Sequence, residues 1–350
     1  MIKIEMKIFV IGFLFLICGC SSSNNEDREP ENQDCGVFSG NVGLTTQTVI
    51  NEFGQCNYTE ITGNLIIQDY NSGSDIVDLS PLSSLTSIGG YVEISNTHAL
   101  TSLQGLNNIT GSSNLLVSNT ILENLNGLDN LQPRKIEIWD NPYLMDLTGL
   151  SLITNTLTGV YIGNCPELTN LNCFLNINEV IGAVIIGDNP GLIELHGLQN
   201  LESVGSLRII NNENLESLDH LDNLSSINLE GLTILNNQLL SNLDGLSNLS
   251  TYRGDLHIRN NFDLSNIDGL SMINRVNELW ISGNAIINLD GLTNVLNITD
   301  DMDIFDNPLL TDFCGLQNVI NNGQIWGFVD IVNNGYNPTI DQIGDGDCSL

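Results

Sequence analysis

One unit of 22 to 25 residues repeats through most of this chain of 350 residues, and a repeat of that period decides the architecture before any single residue does. Gly-Leu pairs mark it at Gly105-Leu106, Gly127-Leu128, Gly149-Leu150, Gly197-Leu198, Gly245-Leu246, Gly269-Leu270, Gly291-Leu292 and Gly315-Leu316, with variants at Pro81-Leu82, Cys173-Phe174 and His220-Leu221. Upstream of each pair lies a short alternating segment ending in Asn or Asp, as in Leu207-Arg208-Ile209-Ile210-Asn211-Asn212. Twelve such segments begin between Leu65 and Val329.

Alternation over four or five β-favouring residues makes a strand with one buried face. A coil of about 23 residues is too short for a strand plus a full crossover helix, so each coil has to stack on its neighbour. The expected fold class is mainly β: a right-handed parallel β-helix or leucine-rich-repeat-like solenoid of about twelve coils with disulfide-closed ends. Strands about 4.8 Å apart would build a rod of roughly 55 Å. Within each strand the first and third residues, such as Leu279 and Ile281, point inward, and the second and fourth, such as Trp280 and Ser282, face solvent. The Asn or Asp after each strand, broken only at Gly283, reads as a corner residue whose side chain takes up backbone groups left unpaired by the turn.

Met1 to Cys20 has Lys3 and Lys7, an apolar run from Ile8 to Ile17 and then Cys18-Gly19-Cys20. This is the pattern of a secretory signal, too short to span a bilayer well. Ile17-Cys18-Gly19-Cys20 resembles the bacterial lipobox, which implies cleavage before Cys20 and lipidation of that residue. Ser21 to Asp34 lacks large apolar residues and reads as a flexible tether. Its Glu26-Asp27 resembles the acidic stretch of Bacteroidota lipoproteins exported to the outer face of the outer membrane. The expected organisation is residues 1–19 signal peptide, 20–34 lipidated cysteine and acidic tether, and 35–348 solenoid. Within the solenoid, 35–63 form the N-terminal cap, 64–313 the repeats and 314–348 the C-terminal cap. The expected location is the cell envelope, as a surface-displayed outer-membrane lipoprotein touching the membrane through its anchor only.

The stretch from Cys56 to Ile67, Cys-Asn-Tyr-Thr-Glu-Ile-Thr-Gly-Asn-Leu-Ile-Ile, and the following Leu82 to Ile94 resemble the receptor L domain family. That family includes the ligand-binding L domains of the insulin and epidermal-growth-factor receptors and many bacterial surface proteins. The resemblance spans about residues 35 to 348, with a helix-like lead-in from Thr45 to Phe53. It implies recognition of ligands by the outer sheet face. This chain has more coils than one receptor L domain, and no cysteine-rich module or kinase follows, so signalling is not implied. A plain leucine-rich repeat remains the alternative fold.

On the outer face, the expected ligand-binding residues are Trp139, Tyr161, Ile185, Ile210, Leu235, His257, Arg259, Trp280 and Phe305. Aromatics and Arg dominate binding hot spots, while a bland sheet surface is the competing reading. Net charge is -33, from 42 Asp+Glu against 9 Lys+Arg, which excludes nucleic acid, whose binding needs cations to release counterions. The expected partner is an extracellular protein or glycan. Glu93 and Glu137 lie two coils apart and read as isolated acids of a solvated face, and the four histidines fall in different coils, so no catalytic group is assigned and no enzyme is expected. A secreted carbohydrate-active β-helix enzyme and a passive surface protein are the alternatives. No cofactor or metal ligand is assigned; zinc has no Cys-x-x-Cys beyond the signal, and a structural calcium is only weakly indicated, by Asp303 with Asp330 and by the Asp341 to Asp347 tail. Six cysteines remain after Cys18 and Cys20, and end closure favours Cys35 with Cys56, Cys165 with Cys173 and Cys314 with Cys348 among 15 pairings.

Overall fold

A computed structural model describes residues 36–69 and 75–350. The expected signal peptide, Cys20 with its expected lipid, the expected tether and Cys35 lie outside the described residues. One parallel sheet runs the length of the molecule, from Val42–Leu44 through Leu65–Gln68, Val92–Ser95 and Asn114–Ser118 to Met302–Phe305 and Val329–Val332. Each strand pairs in parallel with the strand of the next coil. The solenoid starts one strand earlier than the repeat pattern indicates, because Val42–Leu44 pairs with Leu65–Gln68 despite lacking a following Asn. Two three-stranded parallel sheets cover another side near the ends, one built from Val37–Phe38, Glu60–Ile61 and Ser87–Ile88, the other from Arg275–Val276, Asn297–Ile298 and Gln324–Ile325. In the middle coils the two sides merge into long bent strands, such as Ser226–Leu235, with a register shift at the bend.

The interior consists of stacked Leu, Ile and Val columns. One coil supplies Leu279, Ile281, Ile286, Leu289, Leu292, Val295 and Ile298, all buried. Ile66, at an outward position, is buried as well, and so are the fourth-position residues Ser95, Ser118 and Ser282, the last against the expectation that it faces solvent; small side chains there are covered by their larger neighbours on the sheet. Short 3₁₀ turns such as Asp244–Leu246 and Asp268–Leu270 carry the Gly-Leu pairs.

Asparagines hold the coils together, in a more differentiated way than the corner reading foresees. The residue directly after the strand adopts left-handed backbone, with φ between 51° and 58° from Asn96 through Asn333. Asn and Asp tolerate that conformation better than other non-glycine residues, and Gly283 shares it at φ 69°, which explains the break in the series. The side chains here bond mostly to each other along the surface, as Asn236 Nδ2 does to Asn211 Oδ1 at 2.7 Å and Asn211 Nδ2 to Asp188 Oδ1 at 2.7 Å.

The backbone is satisfied by the next residue. Asn189, Asn212, Asn237, Asn261, Asn284 and Asn307 are buried inside the corner. Each accepts the backbone N–H of its counterpart one coil earlier and donates to a strand carbonyl of that earlier coil. Asn237 Oδ1 takes the Asn212 N–H at 3.1 Å, and Asn237 Nδ2 gives to Ile209 O at 2.9 Å. The ladder ends at Asn334, whose own N–H is taken by Asn337 Oδ1 at 2.9 Å.

Cys165 stands in this inner column, its N–H donating to Asn189 Oδ1 at 3.0 Å and its thiol to Gly163 O at 3.4 Å. Cys173 occupies the glycine column of a Gly-Leu turn, at a different corner of the coil. Both are free and buried, so the expected Cys165–Cys173 disulfide is not formed. Burial raises both thiols, Cys165 to about 11 and Cys173 well above its ordinary value. Cys314–Cys348 is formed, with Cα atoms 5.0 Å apart. It fastens a cap made of Gln317–Asn322 and Ile340–Asp345, the latter opened by a Thr339/Gln342 capping box. Cys56 is bridged to no cysteine among the described residues, and its expected partner Cys35 is not one of them. At the other end the expected lead-in helix forms over Gln47–Gly54, N-capped by Thr46. Phe38, Phe53 and Tyr58 pack ring to ring beneath it.

Candidate functional site

Register fixes which outward residues are neighbours. One column runs Glu137, Tyr161, Ile185, Arg208, Thr233, His257, Trp280 and Asp303. The other runs Trp139, Gly163, Gly187, Ile210, Leu235, Arg259, Ser282 and Phe305. All nine expected residues lie on this face and all are half-buried. They do not form one site. Trp139 and Trp280 are six strand steps apart, about 29 Å at the usual interstrand spacing.

Three groups result. At one end, Lys135 pairs with Glu137 at 2.8 Å and places its ammonium 4.6 Å from the centre of the Tyr161 ring, next to Trp139. In the middle, Ile185, Ile210 and Leu235 make an apolar strip bordered by Gly163 and Gly187. At the far end, the Arg259 guanidinium lies 3.8 Å from the centre of the Trp280 ring. Phe305 and His257 approach the same indole at 5.9 and 5.8 Å, the imidazole edge to face.

This last group carries the electrostatic asymmetry of the face. Lys135 and Arg208 are each neutralised, by Glu137 and Glu230, both at 2.8 Å. Arg259 has no carboxylate partner among the described residues, and stacking on an indole is the arrangement that suits a planar guanidinium. His257 Nε2, Arg259 Nε and Trp280 Nε1 are all shut off from solvent without a hydrogen-bond partner. His257 Nε2 has only Glu278 within charge range, at 3.6 Å. An unpaired buried polar atom costs about 1 to 3 kcal/mol, so three in contact are a concentrated defect in an otherwise well-satisfied fold. Beyond Trp280 the face turns acidic: Asp303 pairs in register with Asp330, and burial followed by the Asp301 and Asp330 charges raises its carboxyl.

Away from the sheet, a shallow groove along the surface asparagines is lined by Asp188, Pro190, Asn211, Glu213, Asn236 and Phe262, with no cation. The structure also joins two residues that the sequence reading set apart. His196 and His220, in successive coils, place Nδ1 and Nε2 3.3 Å from each other. Their separation of 24 residues equals one coil, which is the signal that marks them as neighbours. No described helix is long and apolar enough to cross a membrane.

Comparison with known proteins bears on the fold. The receptor L domain family model matches residues 55–172, a narrower span than the resemblance covers. An internalin from Listeria monocytogenes aligns with 83% of this chain and 78% of its own at 18% identity and a TM-score of 0.46. A leucine-rich-repeat protein of Leptospira interrogans aligns with 86% of this chain and 85% of its own at 16% identity and a TM-score of 0.31. No curated protein matches. Residues 55–172 are thus similar to the receptor L domain family, and they lie within a longer parallel β-solenoid that continues to the C-terminal disulfide.

Proposed function

We propose that this chain is a non-catalytic recognition module, held at the cell envelope by a lipid on Cys20, that binds an extracellular protein or glycan through the outer face of its long sheet. The observation that carries the proposal is the Arg259–Trp280 stack flanked by His257 and Phe305, with its three unpaired polar atoms. A cation without a counter-charge, a large aromatic and apolar neighbours are the make-up of a binding hot spot. A partner offering carboxylate or hydroxyl oxygens to Arg259, and apolar surface to the Ile210–Leu235 strip, would relieve the defect on contact. Electrostatics set the same preference, since on a chain of net charge -33 an unneutralised Arg is the local place where an acceptor group is not repelled.

The test is capture by the purified protein from panels of polysaccharides and of isolated envelope proteins, comparing Trp280→Ala, Arg259→Lys and Trp139→Ala. Loss of at least about tenfold in affinity is expected for Trp280→Ala and Arg259→Lys, the scale of one hot-spot side chain. Trp139→Ala, about 29 Å away, is expected to cost less. Equal binding by all folded variants, or none by wild type, would reject the sheet face and favour a passive surface role. The anchor is tested separately by incorporation of labelled palmitate, expected in the wild type and lost in Cys20→Ala.

A further inference from the structure

The repeat supplies its own standard of comparison, and three departures from it fall at one spot. Just before each Gly-Leu turn, a Ser, Asn or Asp side chain accepts the N–H of the residue two ahead, as Asn242 does from Asp244 at 3.0 Å and Asn266 from Asp268 at 2.6 Å. Ten coils, from Asp78 to Asp312, follow this rule. In the remaining coil the position is Glu194, whose side chain makes no hydrogen bond among the described residues. His196 follows it where later coils have Asp219, Asp244, Asp268 or Asp290. His220 fills the column that holds glycine in eight of the eleven turns, a column packed against the carbonyl of the coil before. The 3₁₀ turn around it, Asp219–Leu221, also lacks the closing N–H bond that Ser247 makes to Asp244 and Ser271 to Asp268. Local rules broken together mark a functional place.

The three departing side chains converge. Ligand atoms of Glu194, His196 and His220 all lie within 4.8 Å of one another. The two imidazoles meet edge to face, at 88°, with the facing nitrogens 3.3 Å apart. That is the far end of the hydrogen-bond range. It equals the separation of two ligand nitrogens on a tetrahedral metal, about 3.3 to 3.4 Å for bonds of 2.0 to 2.1 Å. Glu194 is exposed and both histidines are half-buried, so a side-chain rotation of Glu194 completes a three-ligand set and leaves a fourth position to solvent. Backbone contacts fix the frame: His196 O accepts the Leu171 N–H at 2.7 Å, and Leu221 N–H bonds Leu218 O at 2.9 Å.

We infer that Glu194, His196 and His220 form a zinc-type site for a divalent transition metal. Two imidazoles and one carboxylate select zinc and its neighbours over magnesium and calcium, which prefer all-oxygen ligands. The site lies on the turn side of the coil and does not depend on the sheet-face function.

The repeat also provides folded controls, because His220→Gly and Glu194→Asn restore the residues that the other coils use. The test is zinc titration by calorimetry of the full chain, made without a histidine tag, in excess magnesium to saturate non-specific acidic sites. Visible spectra of the cobalt-loaded protein are recorded alongside. Expected are one zinc per chain, intense tetrahedral cobalt bands, and unchanged binding in His98→Ala. His220→Gly should melt no lower than metal-free wild type, yet bind zinc more weakly by at least the roughly 10- to 100-fold that even outer-shell partners contribute. Glu194→Asn should weaken binding in the same direction. No zinc uptake above the magnesium background would overturn the site, and so would His220→Gly binding as wild type does. Both outcomes would leave the imidazole pair as a structural contact only.

Discussion

Cys165 shows how much one rung of the inner ladder contributes. A sulfur stands where the neighbouring coils place a buried amide, between Asn141 and Asn189. Cys165→Asn gives the column back its oxygen acceptor and stronger donor, and is expected to add about 1 kcal/mol, the net value of an ordinary buried hydrogen bond. It should also change the response to alkali. Burial lifts the Cys165 thiol from an ordinary 9.0 to about 11, so the unfolded chain gives up this proton first. The stabilisation is complete below about pH 9 and is lost as pH rises to about 11. Cys173, raised for the same reason, leaves some of that slope in the variant. Urea melts between pH 8 and 11 are expected to show a higher midpoint and a shallower alkaline decline for Cys165→Asn. Equal midpoints and equal slopes would mean the thiol serves as well as the amide.

Among the elements, the Gly-Leu turn is the least forgiving. A Cβ on Gly245 would run into the carbonyl oxygen of Leu218 in the coil before, backbone against backbone, so neither side can yield without parting the coils. Gly245→Ala is expected to cost about 3 kcal/mol, read as a fall in the thermal midpoint. Gly283→Asn should be tolerated, since its φ of 69° suits asparagine and the obstructing atom is the movable end of the Asn260 side chain. The order of the two midpoints is the check. The strands and their inward columns were legible in the sequence because period-two alternation inside a fixed coil length leaves one register. The nine outer-face positions were legible for the same reason. Their division into separate groups was not, because it depends on how far each side chain reaches toward the next strand. Nor did the sequence separate the two successive asparagines, since backbone conformation and side-chain direction divide their tasks. It also misplaced Cys165, whose residue type points to a bridge while its column points to a rung.

At the scale of the whole molecule, stacking brings like charges into rows. Asp219, Asp244, Asp268 and Asp290 follow one another from coil to coil, and burial together with the charges of Asp312, in the next coil at the neighbouring position, and Asp268 raises the Asp290 carboxyl. With a net charge of -33, raising ionic strength from about 10 to 150 mM shortens the screening length from about 30 to 8 Å. The melting temperature is expected to climb by several degrees over that range; a flat or falling one would show that the carboxylate rows are already relieved. The inner asparagine ladder has a mechanical consequence too. Each rung takes its acceptor from the following coil, so a pull along the stack passes through those bonds in series. A series fails at its weakest link, and the sulfur rung at Cys165 lies near the middle. The Cys314–Cys348 bridge keeps the last coil shut, so such a pull is expected to part the coils from within, like a spring with a fuse, and to leave the last coil intact.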